Sequence, residues 1–473
     1  MPRCSSRTFH LAWISLALVG PACADITATW NGTSGNWTDA ARWSTAPIFP
    51  NNNAPDFYDA VINAGVIALN QNIAINQLAL GGGTLGGGST LSLAEGFAWS
   101  GGATVALTGA GKFVLGVGSA SAVSGSAVFQ SGTIVGGGAA TIGVPSGAAF
   151  LALNQAAFFA DIASPAYTFD NAGTFTARAT SGAGFTSMDA VFNNTGVVNV
   201  ELAGGTSHTL SLAGGGVHSG AFHLQAGTTV EFGGTTTLQD GASFDGNGIG
   251  VVAGNVLVTG GISGGNLTVA VGELNLGASV FDLSGTARQT GGTLRIGGGT
   301  LSVAAGLGTL IMDDGTLTGV GTLDANLSAQ GIIAPGAALG TLGVSGAAAF
   351  GTDAQLAIEI GGASGGSFDL LTTASASLGG TLDLRLFNGF MPGFGDSFTI
   401  LTASSGVSGF FANAPLDGSR LDTTDGLGSF AIDYTATSVV LTQFIPEPSS
   451  VLLAAVAGSL LVARRRRATS ASR

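Results

Sequence analysis

Side chains that could do chemistry are few and scattered in this sequence. Between Asp25 and Ile445 there are three histidines, His208, His218 and His223, and many serines, the raw material of a nucleophile with its base. No Gly-x-Ser-x-Gly elbow stands in a strand-to-helix context. His208 and His218 stand in Gly-rich runs, where a turn or surface position is expected. His218 and His223 are five residues apart, a spacing that in a strand sends them to opposite faces and so makes no metal pair. Cleavage of a polysaccharide needs paired carboxylates, or carboxylates beside Arg or Lys, on one exposed sheet. Asp313-Asp314 is the adjacent acidic pair, with Asp282, Arg288 and Arg295 within about one coil of it. Asp-Asp-Gly ahead of Thr-Leu, however, reads as an ordinary turn. Asp240 and Asp245 offer oxygens to calcium, but no Gly-Gly-x-Gly-x-Asp repeat surrounds them. The expectation is a protein that is not an enzyme and holds no cofactor or metal. Trp30, Trp37 and Trp43 are the candidate glycan contacts, as platforms for sugar rings; the preferred reading makes them a packed cap over the end of a core.

Charge and composition narrow the field. The body from Asp25 to Ile445 has seven basic residues against 26 acidic ones, and Lys112 is the single lysine of the chain. A phosphate-binding surface needs clustered Lys and Arg, so nucleic acid is excluded as a partner. With 80 Gly in 473 residues, long helices would not hold. A hydrophobic share of 45% against 9% charged residues is too apolar for disorder, and Gly does not recur every third residue as in collagen. A large, turn-rich β protein remains.

The elements that would position any site are short β-prone runs opened by Gly. Gly292-Thr293-Leu294, Gly299-Thr300-Leu301, Gly308-Thr309-Leu310, Gly315-Thr316-Leu317 and Gly321-Thr322-Leu323 place Leu at intervals of 7, 9, 7 and 6. Two or three steps give roughly 16 to 22 residues, the length of one coil in a parallel β-solenoid. Within a run, alternation sends Leu294 and Ile296 inward and Arg295 outward. The fold class expected is all-β: a right-handed parallel β-helix over residues 66–333, preferred to a β-sandwich array or a propeller. Residues 25–65 form a Trp-rich N-terminal cap. Residues 334–444 form a C-terminal β module of longer amphipathic strands, in which Leu356, Ile358 and Ile360 share one face, as do Leu382, Leu384 and Leu386.

The two ends carry addresses. Residues 1–24 have Arg3 and Arg7, an apolar run from Leu11 to Val19, and Ala22-Cys23-Ala24 as an A-x-A cleavage site, so they read as a signal peptide for the Sec translocon. Cleavage there removes Cys4 and Cys23, leaving no thiol in the exported chain. In residues 445–473, Pro446-Glu447-Pro448 is followed by an apolar run from Val451 to Ala463 and by Arg464, Arg465, Arg466 and Arg467. Thirteen apolar residues are fewer than the roughly 20 of a stable transmembrane helix, and the Arg cluster sets the body outside and Arg464 to Arg467 on the cytoplasmic side.

That order of triplet, short span and Arg cluster closely resembles the PEP-CTERM sorting signal of Gram-negative bacteria. The resemblance implies recognition and removal of the tail by a membrane-embedded exosortase, commonly in organisms that make exopolysaccharide. The Trp-rich start, with Asn51-Asn52-Asn53 and Tyr58 to Ile62, resembles the opening of autotransporter-type β-helix repeats. The block from Ala334-Pro335-Gly336 through Gly340-Thr341-Leu342 and Phe368-Asp369-Leu370 to Phe398 resembles the C-terminal cap of autotransporter passengers. Together these imply a secreted or cell-surface structural or adhesive protein of the envelope or exopolysaccharide matrix, anchored in the inner membrane through its C-terminal helix until processed. The alternative is a β-helix polysaccharide lyase or hydrolase with the same tail.

Overall fold

The computed structural model describes residues 25–160 and 167–447. The expected signal peptide with Ala22 and Ala24, and the tail residues Pro448 and Arg464 to Arg467, lie outside the described residues. Within them the chain is β-strand joined by turns, and the one helical turn is the 3-10 segment Ala40–Arg42. Two compact units form: one of residues up to Asn275 together with Phe281–Gly285, the other of Leu276–Val280 and the residues from Thr286 on.

In the first unit each strand lies parallel on its counterpart one coil earlier. Thr168–Asn171 pairs in register with Val191–Asn194, and Thr174–Ala179 with Val197–Leu202. Three strands make a coil. Every second residue points inward, so Phe150, Phe158, Phe169, Phe175 and Phe192 are buried. Their rings form a column, with Phe150 and Phe175 stacked at 5.8 Å between centroids and an interplanar angle of 6°. Such a column supplies large apolar burial along with favourable ring contacts. Beside it runs a polar rung: Asn171 Nδ2 donates to Asn194 Oδ1 at 2.8 Å across 23 residues of chain. His218 occupies the next step of that rung, paired with Asn194. Coil length varies, from 18 residues at the Asn72 to Thr90 contact through 23 at Asn171 to 30 where Ala157 pairs with Ser187, because the turns between strands take up insertions without disturbing the ladder.

Trp30, Trp37 and Trp43 are buried in the first coil. Trp43 lies between the other two, its ring 5.0 Å from Trp30 and 4.8 Å from Trp37. Their indole N–H groups donate to the carbonyls of Thr33, Pro50 and Trp37.

In the second unit the Gly-Thr-Leu runs merge into two long strands, Ala287–Val303 and Thr309–Asp324, bent where the register shifts. Leu294 pairs with Leu317 and Leu301 with Leu323, all four buried. Glycine is required at the corners: Gly321 has φ +134°, and a Cβ there would stand 2.5 Å from the Gly299 carbonyl oxygen one coil back. Parallel pairing continues past residue 334, joining Gln355–Ile360 to Thr381–Leu386, Leu370–Thr373 to Phe398–Ala403, and Ser375–Leu378 to Val407–Gly409. This parallel order is that of a solenoid and excludes the antiparallel sandwich and propeller. Only then does the direction reverse. Ser419–Asp422, Gly428–Tyr434 and Ser438–Pro446 form an antiparallel set, and the last of them covers the edge of Phe398–Ala403.

Candidate functional site

A polar site of the second unit is built around Asp369. Strands Gln355–Ile360 and Thr381–Leu386 run in register, which sets Glu359 beside Arg385 and Ala357 beside Asp383 on the outward face. The loop after Pro335 folds over this face and is pinned by reciprocal hydrogen bonds between Gly319 and Gly336. Asp369, only 2% exposed, reaches both segments: Oδ1 accepts from the Gly340 N–H at 2.9 Å and Oδ2 from the Glu359 N–H at 2.8 Å. Gly336 allows the approach, since its φ is +85° and a Cβ there would meet Asp369 Oδ1 at 2.7 Å. The motif from Ala334-Pro335-Gly336 to Phe368-Asp369 thus acquires a physical role, a carboxylate clamp that ties the Gly340 turn, 29 residues before it, to the strand at Glu359.

A cavity of about 280 Å³ is bounded by Thr318, Pro335, Glu359, Asp369, Asp383 and Arg385. Burial raises the Asp369 pKa to about 7 against the two N–H donors that favour the anion, and the Glu359 charge adds to the rise. Arg385 Nη1 stands 3.9 Å from Glu359 Oε1, and Asp383 Oδ1 is buried with no hydrogen-bond partner. Paired carboxylates beside an Arg are the ingredients of acid–base chemistry. Asp369 itself has both oxygens committed to the backbone, so it works as a fastener.

A second polar face lies on the first unit, where Asn199, His223 and Asp245 stack on successive coils. His223 Nδ1 meets Asp245 Oδ1 at 2.6 Å, and Arg178 holds Glu201 at 2.7 Å. Asn199, Glu201, His223 and Asp245 line a shallow groove of about 320 Å³ with Gln225, whose Oε1 accepts from the Leu202 N–H. His223 is 48% exposed, a surface position in the stated sense.

The other two histidines differ from expectation. His208 and His218 are buried, at 1% and 0% exposure. Each is the inward residue of a strand that pairs on both sides, so the turn-like glycines around them misled the surface reading. Burial lowers their pKa values to about 4 and about 3. His208 Nε2 is 3.1 Å from Thr186 Oγ1, while neither nitrogen of His218 has a partner.

No protein-family model and no curated protein matches the chain. The geometry therefore stands on its own.

Asp313 and Arg288 form an exposed ion pair at 2.5 Å, and Asp314 Oδ1 accepts from the Gly315 N–H, so the acidic pair faces different partners. The segment is a bend inside a strand. Asp240 Oδ1 accepts from the Gly261 N–H. Among the described residues no group of three or more His, Cys, Asp or Glu is arranged to hold a metal ion. The three tryptophans pack edge-on and tilted against one another and are buried, Trp30 at 4%, Trp37 at 0% and Trp43 at 3% exposure. Pro446 ends the last strand and the Glu447 N–H donates to the Leu427 carbonyl, so the triplet begins within the folded unit. Sequence reasoning missed Asp369, Glu359, Asp383 and Arg385 as a group. The one available signal was Asp383 alternating with Arg385 on an otherwise apolar strand.

Proposed function

We propose that this chain is an exported, surface-sorted structural or adhesive protein of the bacterial envelope or exopolysaccharide matrix. In this reading the Sec translocon exports it, the C-terminal helix holds it in the inner membrane of a Gram-negative cell, and an exosortase acts at Pro446, Glu447 and Pro448. The solenoid is right-handed, and its antiparallel strands serve as the C-terminal cap. The observation that carries the reading is how the outward polar groups are used. Asn193 binds Asp170, Arg178 binds Glu201, His223 binds Asp245 and Arg288 binds Asp313, each across neighbouring coils. Side chains spent on their own neighbours stiffen the stacked coils and leave few polar groups converging on a substrate.

Fractionation of cells with and without exosortase tests the reading. Release of the protein in the first and retention in the inner membrane in the second is expected; identical location in both would overturn it. The second reading, a polysaccharide lyase or hydrolase, is favoured by the cavity holding Glu359, Asp369, Asp383 and Arg385. Depolymerisation of acidic or neutral polysaccharides, lost in Asp383→Asn and retained in Asp313→Asn with Asp314→Asn, would put it first.

A further inference from the structure

The end of the second unit from which the tail departs carries an apolar rim. Register places it there: Phe398 pairs antiparallel with Leu441, and Gly428 with Pro446, so the residues just before Phe398 and around Leu427 lie beside the last residues of the final strand. The loop between Leu386 and Phe398 is tied to the same end, because the Leu386 N–H donates to Asp425 Oδ2 and the Phe390 ring packs 6.2 Å from Phe398. Around this end Phe394 is 65% exposed, Met391 49%, Ile445 48% and Leu427 40%. Large apolar side chains so exposed and so grouped mark an interaction surface.

Chain length decides what the surface meets. Glu447 is fixed by its N–H to the Leu427 carbonyl at 3.0 Å. Only Pro448, Ser449 and Ser450 separate it from the apolar run that starts at Val451. At about 3.5 Å per residue, Val451 lies within roughly 14 Å of the rim. The headgroup layer on one side of a bilayer is about 5 to 8 Å thick. If the tail enters the membrane, as the proposed sorting role requires and as this inference assumes, the folded unit can stand no more than about 6 to 9 Å clear of the headgroups.

We infer that this rim rests in the outer interface of a lipid bilayer, with Phe394 and Met391 inserted among the headgroups and Ile445 and Leu427 beside them. Charge selects the lipid. The same end carries Asp396, Asp425 and Glu447, while Arg420 is committed to the carbonyls of Ser429 and Gln443. A zwitterionic surface held by apolar insertion therefore fits, and an anionic one does not. Seating the rim this way presents the Pro-Glu-Pro triplet at the membrane surface.

The test uses the full chain with Cys4 and Cys23 changed to Ser, reconstituted in phosphatidylcholine vesicles. Phe394→Cys carries an environment-sensitive dye. Leu416→Cys, 68% exposed and near Asp417, which binds the opposite end of the antiparallel strands at Tyr434, is the control. Carbonate-resistant association that is lost when Val451 to Ala463 are deleted shows tail insertion independently. With the tail inserted, the dye at 394 should shift to the blue and be quenched by lipid-borne quencher at least fivefold more than at 416. A water-like dye at 394 with the tail inserted overturns the inference and leaves the sorting reading standing. Failure of the tail to insert overturns both. Addition of about 20% phosphatidylserine should weaken the quenching; strengthening would refute the charge argument.

Discussion

His218→Leu should stabilise the protein, and more so in acid. The ring sits at 0% exposure, with centroids 6.1, 5.3 and 6.0 Å from those of Phe192, Phe222 and Phe232, and neither nitrogen has a hydrogen-bond partner. Leu238 occupies the same position one coil on, so leucine suits the site. Burial holds the histidine pKa down at about 3, against an ordinary 6.5. The folded state thus binds a proton more weakly than the unfolded chain. Its contribution is present in full above the unfolded value and is lost as pH falls through 6.5 toward 3. Linkage puts the loss at about 3 kcal/mol by pH 4 and on the order of 5 kcal/mol below pH 3. At neutral pH the variant also removes buried unpaired nitrogen, worth roughly 1–3 kcal/mol. Urea titrations of both proteins near pH 7 and near pH 4, followed by circular dichroism, measure the difference. The wild type should lose about 3 kcal/mol more than the variant between the two conditions. Equal losses would refute the claim that His218 is buried without a partner.

Asp369→Asn should remove a pH dependence of the opposite sign. With its folded pKa raised to about 7, Asp369 stabilises below its ordinary range and that contribution is lost as pH rises through 7, so between pH 5 and 8 the wild type should lose stability relative to the variant in the same unfolding titration, the buried histidines contributing equally to both. Trp37→Ala should cost about 3–5 kcal/mol, read by thermal unfolding, because a fully buried indole and its hydrogen bond to the Pro50 carbonyl both disappear. Leu301→Asp puts a charge between stacked coils at 0% exposure and should cost at least about 4 kcal/mol; a soluble variant with unchanged circular dichroism and melting temperature would contradict the packing described.

The solenoid was legible because its signal is local. Gly-Thr-Leu runs reveal both the strand and the corner, and Leu294 and Ile296 are buried as alternation requires. The same alternation placed Leu356, Ile358 and Ile360 inside. What stayed hidden depends on pairs distant in sequence. Asp369 becomes a clamp only when residues 29 apart meet, and nothing near Phe368 announces Gly340 as its partner. His218 was misread because its glycine neighbours look like a turn, whereas its burial follows from stacking on Asn194. The tryptophans offered two readings of equal chemistry, and only their mutual contacts separate them.

The coil-on-coil register also sets an order of events in time. Each strand of the first unit finds its partner about one coil behind it, so a chain delivered amino end first can add coils as it emerges, without waiting for distant sequence. The buried tryptophans would be the first platform available. The far end obeys a different rule: Phe398–Ala403 gains its antiparallel neighbour only after Ser438–Pro446 has appeared. Until then its backbone edge is open to any passing strand, including that of another copy. A truncation before Ser438 should therefore leave that edge free to take a strand from another copy, and so turn a single molecule into an associating one.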